Sequence, residues 1–135
     1  MTSSDSRDPR ACTVVYKILT PTEAATLPPK NWAGTSLDVK DGFLHLSTAD
    51  QLPGVLSRYF SKESGVGDEL RIYSISRAKL EESAHARGIK TQFDPVHGTV
   101  FYHIYGAIDP ESDFFASKTI TRSTEGAFEL GGLEF

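Results

Sequence analysis

Cysteine is nearly absent: Cys12 is alone and cannot close an internal disulfide, and without a cysteine pair the common structural zinc patterns are excluded. Long apolar runs are missing too. No stretch approaches the ~18 residues of a membrane span, and the opening MTSSDSRDPRAC is polar where a secretory signal carries an apolar segment. The expected setting is therefore intracellular and reducing, with a cytoplasmic location and no membrane partner. Positive charge is scarce as well: 14 Lys and Arg stand against 18 Asp and Glu, a net charge of -4 at pH 7. That balance argues against a dominant basic face for duplex nucleic acid and leaves only a local basic pocket. Neither a G-x-S-x-G elbow, a G-x-x-x-x-G-K phosphate loop nor a G-x-G-x-x-G fingerprint occurs. What remains is 135 residues with 39% hydrophobic and 24% charged side chains, the profile of one ordinary domain. A chain of this length buries roughly two-thirds of its unfolded surface and needs no covalent staple.

Residues 1–12 lack apolar periodicity and are expected to form a disordered tail, followed by a single domain over 13–135. The β-branched run Thr13 to Leu19 predicts a strand. Thr20, Pro21 and Glu23 then give capping-box spacing with proline at the first helical position, so a short helix is expected over Pro21 to Leu27. Lys30 to Gly42 shows turn residues without period and reads as a long loop with room for one helical turn. Gly42 to Ser47 reads as a short strand. Apolar residues at three- and four-residue spacing from Leu52 to Phe60 predict a helix over Ala49 to Phe60, with Thr48 and Gln51 at capping-box spacing. Further strands are expected over Glu69 to Ile75, Ile89 to Phe93 and Phe114 to Thr121. Ser76 should cap a helix to Ala86, Asp94 to Thr99 reads as a loop, and Val100 to Gly106 is an aromatic segment. Strands outnumber long helices without regular alternation, which favours α+β over a doubly wound sheet.

Two patches can carry chemistry. In Asp41 to Gln51, His45 and Ser47 share one face of a strand by period two, beside the start of a helix whose first N–H groups lack internal partners. Such a pair can hydrogen-bond an anion, an amide or a ribose; alternatively, Ser47 and Thr48 merely cap the helix. The second patch, Phe93 to Ile108, gathers His97, His103, Tyr102 and Tyr105. Its histidine spacing fits no common zinc pattern, so no metal is expected, and at least one of its aromatics belongs to the core. Cys12 has no neighbour in sequence to activate it and is expected to be inert.

The ordered blocks VYKILT, GFLHLSTADQ, FDP and FYHIYG resemble the domain of unknown function 952 family over about Val14 to Thr121. That family pairs an I-Y-K/H-I opening with a G-F-I-H-x-S-T-x-x-Q block, a W-E-P-like element and an F-P-H-L-Y-G segment. The resemblance implies a compact α+β domain with a mixed or antiparallel split sheet and short helices, grouped with the ADP-ribosyltransferase-like superfamily. Active members of that superfamily split NAD between nicotinamide and ribose. The matched positions are Tyr16, Lys17, Gly42, His45, Ser47, Thr48, Gln51, Asp94, His103, Tyr105 and Gly106. Phe93-Asp94 stands for Trp-Glu, Tyr102 replaces a proline, and Ala107 replaces another.

On that resemblance His45, Ser47, Asp94 and His103 are the expected catalytic set, and Tyr16, Lys17, Thr48 and Tyr105 the expected cofactor contacts. Cleaving the glycosidic bond passes through an oxocarbenium-like state, which calls for groups fixing the ribose, an aromatic face for the base and a carboxylate near the cation. His45, Ser47 and Thr48 suit the first task, Tyr105 or Tyr102 the second, and Asp94 the third. Lys17, or Arg71, would offset pyrophosphate charge. The expected ligand is NAD or a related small nucleotide, bound without a metal. The alternative is a non-catalytic ligand-binding or protein-interaction domain on the same fold. Transfer to a phosphorylated RNA end is a third reading, and the net negative charge counts against it.

Overall fold

The computed structural model describes residues 7–135. Six strands form β1 (Val14–Leu19), β2 (Leu44–His45), β3 (Glu69–Ser76), β4 (Lys90–Val96), β5 (Thr99–Tyr105) and β6 (Phe114–Thr121). Helices α1 (Pro21–Ala25), α2 (Ser36–Asp41), α3 (Leu52–Tyr59), α4 (Arg77–Ala86) and α5 (Pro110–Asp113) are all short. The strands make two three-stranded sheets, β1-β3-β6 and β2-β5-β4, and every pairing between them is antiparallel. The class is α+β, and of the expected sheet types it is the antiparallel one that forms.

The two sheets meet where the chain changes partner. His45 pairs with His103, Leu46 N donates to the Tyr102 carbonyl, and Ser47 then exchanges backbone hydrogen bonds with Tyr16 at 2.7 and 3.1 Å. This handover ends β2 after two residues, although the sequence reads as a strand over Gly42 to Ser47. It also explains β1, which is covered on both faces. Val14 and Tyr16 enter one apolar cluster with Leu52, Leu56, Leu70, Ile72 and Ile120, while Val15 enters another with Leu44, Leu46, Ile75, Leu80, Tyr102 and Ile104. The pleat of β3 sends Ile72 and Ile75, three residues apart, to opposite faces, so Ile72 joins the first cluster and Ile75, opposite Val15 on β1, joins the second. A register irregularity falls on the other edge of β3, where Ser74 pairs with Ala116 and Ile75 with Phe114, leaving Phe115 of β6 as the extra residue.

Other expectations need correction. Residues 7–12 are not a loose tail: Arg7 bonds both carboxylate oxygens of Asp50 at 2.8 and 2.6 Å, and its guanidinium lies 4.0 Å from the Phe135 ring centroid. Pro9–Ala11 is a 3-10 turn, and Cys12 is fully buried in the cluster that joins the sheets. Burial, more than any charge nearby, raises the Cys12 thiol pKa. The rest of the expected tail, residues 1–6, lies outside the described residues. The C-terminal segment returns along β1, where the carbonyl of Phe135 accepts from Thr13 N and that of Glu134 from the Tyr16 hydroxyl.

The expected loop over Asp94 to Thr99 is mostly strand. β4 continues to Val96, which pairs with Thr99 across a two-residue turn of His97 (φ 49°) and Gly98 (φ 81°). Positive φ at both central residues is the type I′ geometry that matches strand twist, and Pro95 is tolerated because β4 is an edge strand. The expected loop over Lys30 to Gly42 contains α2, closed by a capping box of Thr35 and Asp38. α3 begins at Leu52 rather than Ala49: Thr48 and Gln51 do exchange side-chain and backbone bonds, but around a turn ahead of the helix.

Candidate functional site

In an antiparallel pair, residues directly opposite share a face. The β2-β5-β4 register therefore puts His45, His103 and Gln92 on one face, with Asp94 and Phe101 next along it, and Leu44, Ile104 and Tyr102 on the core face. The first face holds two histidine–aspartate pairs. His45 Nδ1 lies 2.6 Å from Asp38 Oδ1, and His103 Nδ1 lies 2.6 Å from Asp94 Oδ2. The two imidazole centroids are 5.5 Å apart, and Phe43 packs against both rings, at 4.7 Å from His45 and 4.0 Å from His103. Tyr105 completes the cluster, 5.2 Å from Phe43.

Each pair is held by further donors. Asp38, 1% exposed, folds back on the first turn of α2 and accepts from Thr35 N at 2.9 Å. It also takes the His45 backbone N–H at 3.1 Å and faces the Lys17 ammonium at 2.6 Å. Lys17 in turn donates to the His45 carbonyl at 3.0 Å, so this ion pair grips both backbone ends of His45. A strand of two residues could not fix that imidazole by itself. Burial pushes the Asp38 carboxyl up, but the His45, Lys17 and Thr35 donors outweigh it and hold its pKa at about 2. Lys17 is 5% exposed; burial lowers its pKa while Asp38 supports its charge.

Asp94 accepts from His103, from the Tyr105 hydroxyl and from Gln92 Nε2. Partial burial works against its charge, yet these donors prevail and lower its pKa; Asp94 in turn raises that of Tyr105. His103, 4% exposed, has its pKa lowered by burial against the pull of Asp94. The pair thus stands as a carboxylate and a neutral imidazole. With Nδ1–H directed at Asp94, the lone pair lies on Nε2. On the other ring, His45 Nε2 lies 3.0 Å from Asp41 Oδ2, at the last residue of α2. Among the described residues no group of three or more histidine, cysteine or acidic side chains is arranged to hold a metal.

Of the residues singled out from sequence, His45, Asp94, His103 and Tyr105 converge here, and Lys17 reaches the cluster from behind. Lys17 is engaged by Asp38 and is not placed to offset a ligand's pyrophosphate. Ser47 is the joint between sheets, and Thr48 exchanges bonds with Gln51, whose amide also donates to the Val100 carbonyl. Tyr16 points into the core, with its hydroxyl on the carbonyl of Glu134. Tyr102 is likewise core, bonded to Glu81 at 2.9 Å, and Arg71 pairs with Glu69 on the other sheet. Asp38, Asp41, Phe43 and Gln92 were not singled out as site residues. Only Asp38 had a local signal, the Thr35-x-x-Asp38 cap spacing; Gln92 joins by alternation with Asp94 once β4 is known.

Among the described residues no helix is long and apolar enough to cross a membrane. Solved structures with this fold include the protein CC0527 from Caulobacter crescentus. Its crystal structure aligns with a TM-score of 0.67 and 24% identity, over 88% of this chain and 96% of that one. Its solution structure aligns at 0.66 and 22%, over 87% and 93%. No curated protein matches the sequence. A family model described as "Protein of unknown function (DUF952)" matches residues 18–112, well over half of the chain. With β2, both histidine–aspartate pairs and Tyr105 all inside the matched span, the chain belongs to the DUF952 family.

Proposed function

We propose that this chain is a small ADP-ribosyltransferase-like domain that binds NAD on the outer face of β2-β5-β4 and cleaves its nicotinamide–ribose bond, passing ADP-ribose to water or another acceptor. The observation that carries this reading is the convergence of His45, His103, Asp94 and Tyr105 around Phe43. Asp38, Asp41 and Asp94 outnumber the two lysines that reach the cluster, Lys17 at Asp38 and Lys90 over the Tyr105 ring. Such a field favours the cationic nicotinamide–ribosyl end of NAD over its phosphates. Phe43 and Tyr105 supply aromatic surface for the ring. Asp94, kept ionised by three donors, stabilises positive charge developing at C1′ without reorganising. For the phosphates, Lys90 is the nearest candidate, with its ammonium 4.9 Å from the Tyr105 ring centroid.

Calorimetric titration with NAD, coupled to measurement of released nicotinamide, tests the reading. Saturable binding by the parent is expected. Asp94→Asn should lower nicotinamide release by roughly 10²–10³-fold, the usual effect of removing one preorganised electrostatic group. A folded parent that binds no NAD overturns the proposal.

A second reading, a ligand-binding or interaction domain without catalysis, draws support from Phe43 and Asp41, which already cover ring faces and the His45 Nε2. An apolar groove of about 430 Å³ elsewhere, lined by Leu27, Pro28, Tyr73, Phe114 and Phe115, also fits it. Saturable NAD binding without any nicotinamide release would favour this alternative.

A further inference from the structure

We propose that Asp41 is the base of this site and that the acceptor it activates is a neutral hydroxyl, either water or an alcohol. The inference rests on the NAD-cleaving reading above. Three carboxylates surround the imidazoles, and their hydrogen bonding separates their roles. Asp38 is buried and meets four donors: Thr35 N, His45 N, His45 Nδ1 and Lys17 Nζ. Asp94 meets three, from His103, Tyr105 and Gln92. A carboxylate whose lone pairs are so engaged holds its charge and is a poor proton acceptor. Asp41 differs in both respects: its side chain is 37% exposed, and one of its oxygens meets His45 Nε2 at 3.0 Å. Its other oxygen is not engaged by this contact and can face an incoming hydroxyl.

His103 Nε2 is the competing base. That ring is buried beneath Phe43, with centroids 4.0 Å apart, whereas Asp41 lies at the rim where an acceptor arrives. Asp41 also lies beside a firmly held ring. Lys17 and Asp38 fix the backbone and Nδ1 of His45, and one Asp41 oxygen lies against the Nε2 edge of that fixed ring at 3.0 Å. His45 is thus the neighbour of this base as well as a wall of the site.

The step balances without a further reactant. The C1′–N bond of NAD breaks and its electron pair passes to the nicotinamide nitrogen, neutralising the pyridinium. The acceptor oxygen forms the new bond to C1′, and its proton passes to Asp41 and then to solvent. One nicotinamide, one ADP-ribosyl product and one proton result.

The test compares the parent with Asp41→Asn, in water and with added azide, an anionic nucleophile that needs no base. With NAD saturating, Asp41→Asn should release nicotinamide roughly 10²–10⁴-fold more slowly than the parent, the range for loss of a general base. Azide should restore most of that loss and yield ADP-ribosyl azide. Unchanged release by Asp41→Asn, or slow release that azide does not restore, overturns the role of Asp41 while leaving NAD cleavage by the parent standing. A parent that neither binds NAD nor releases nicotinamide overturns both. Because Asp41 is a rim residue, a matching melting temperature for the variant is expected and separates chemistry from folding.

Discussion

At the scale of single residues, Lys17 and Asp38 decide how the site is held. Removing two ions from water is costly, and here the cost is offset by a 2.6 Å contact together with hydrogen bonds to the backbone of His45 and Thr35. Lys17→Met would leave Asp38 buried without its cation and should lower stability by about 3–5 kcal/mol in urea denaturation. Asp38→Asn alone should also destabilise, but in its presence Lys17→Met should cost less, with a coupling of at least about 1 kcal/mol. Strictly additive losses would show that the two side chains do not act as a pair. From sequence, Lys17 reads as a cation available to a ligand, because nothing within its own strand reveals a buried aspartate on α2.

At the scale of elements, two glycines separate local turn chemistry from packing. Gly98 has φ 81° and open space where a Cβ would go, so Gly98→Ala should cost about 1 kcal/mol from backbone strain alone. Gly34 has φ 107°, and a Cβ there would stand 2.4 Å from Asp38 Cβ and 2.5 Å from Asp38 Oδ2. Gly34→Ala should therefore exceed the Gly98→Ala loss by at least about 1 kcal/mol, since strain and overpacking add. It should also broaden or shift the His45 side-chain NMR signals, which Gly98→Ala should leave in place. Paired chemical denaturation and histidine spectra check both points. Several elements were legible because they carry their own signals: β6 spans the expected residues, α1 and α4 start at their Thr20 and Ser76 caps, and β1 follows its β-branched run. β2 and α2 were less so. The first is cut short by the handover to β1, and the second is a six-residue helix whose apolar content is too small to show a period.

At the scale of the whole molecule, the ionisable groups of the site make stability depend on pH with a definite sign. His103 has a lowered pKa in the fold, so the unfolded chain binds more protons there, and stability falls as pH drops below about 6.5. Asp38 and Asp94 are also lowered, so the stability they contribute is complete above their unfolded pKa of 3.8 and is lost below it, for Asp38 down to about 2. All three act in the same direction. Melting temperature should decline in two stages on acidification, and His103→Gln should remove part of the first stage while sparing the second. A melting temperature constant from pH 7 to 5 in the parent would contradict the neutral assignment of His103.

The sequence by itself determined the α+β class, most of the strands, the capped helix starts and the motif blocks that place the chain in its family. These follow from short-range rules of period, capping and turn chemistry acting within a few residues. It also marked His45, Asp94, His103 and Tyr105, which lie within three such blocks. Only the tertiary structure decided which marked residues meet. Cross-strand register aligns His45 with His103, the Ser47–Tyr16 bridge withdraws Ser47 and Tyr16 into the joint between sheets, and α2 brings Asp38 and Asp41 to either side of one imidazole. The first two pairings join residues far apart in the chain, and although Asp38 and Asp41 lie within seven residues of His45, it is the turn from α2 into β2 and the packing around it that set their geometry.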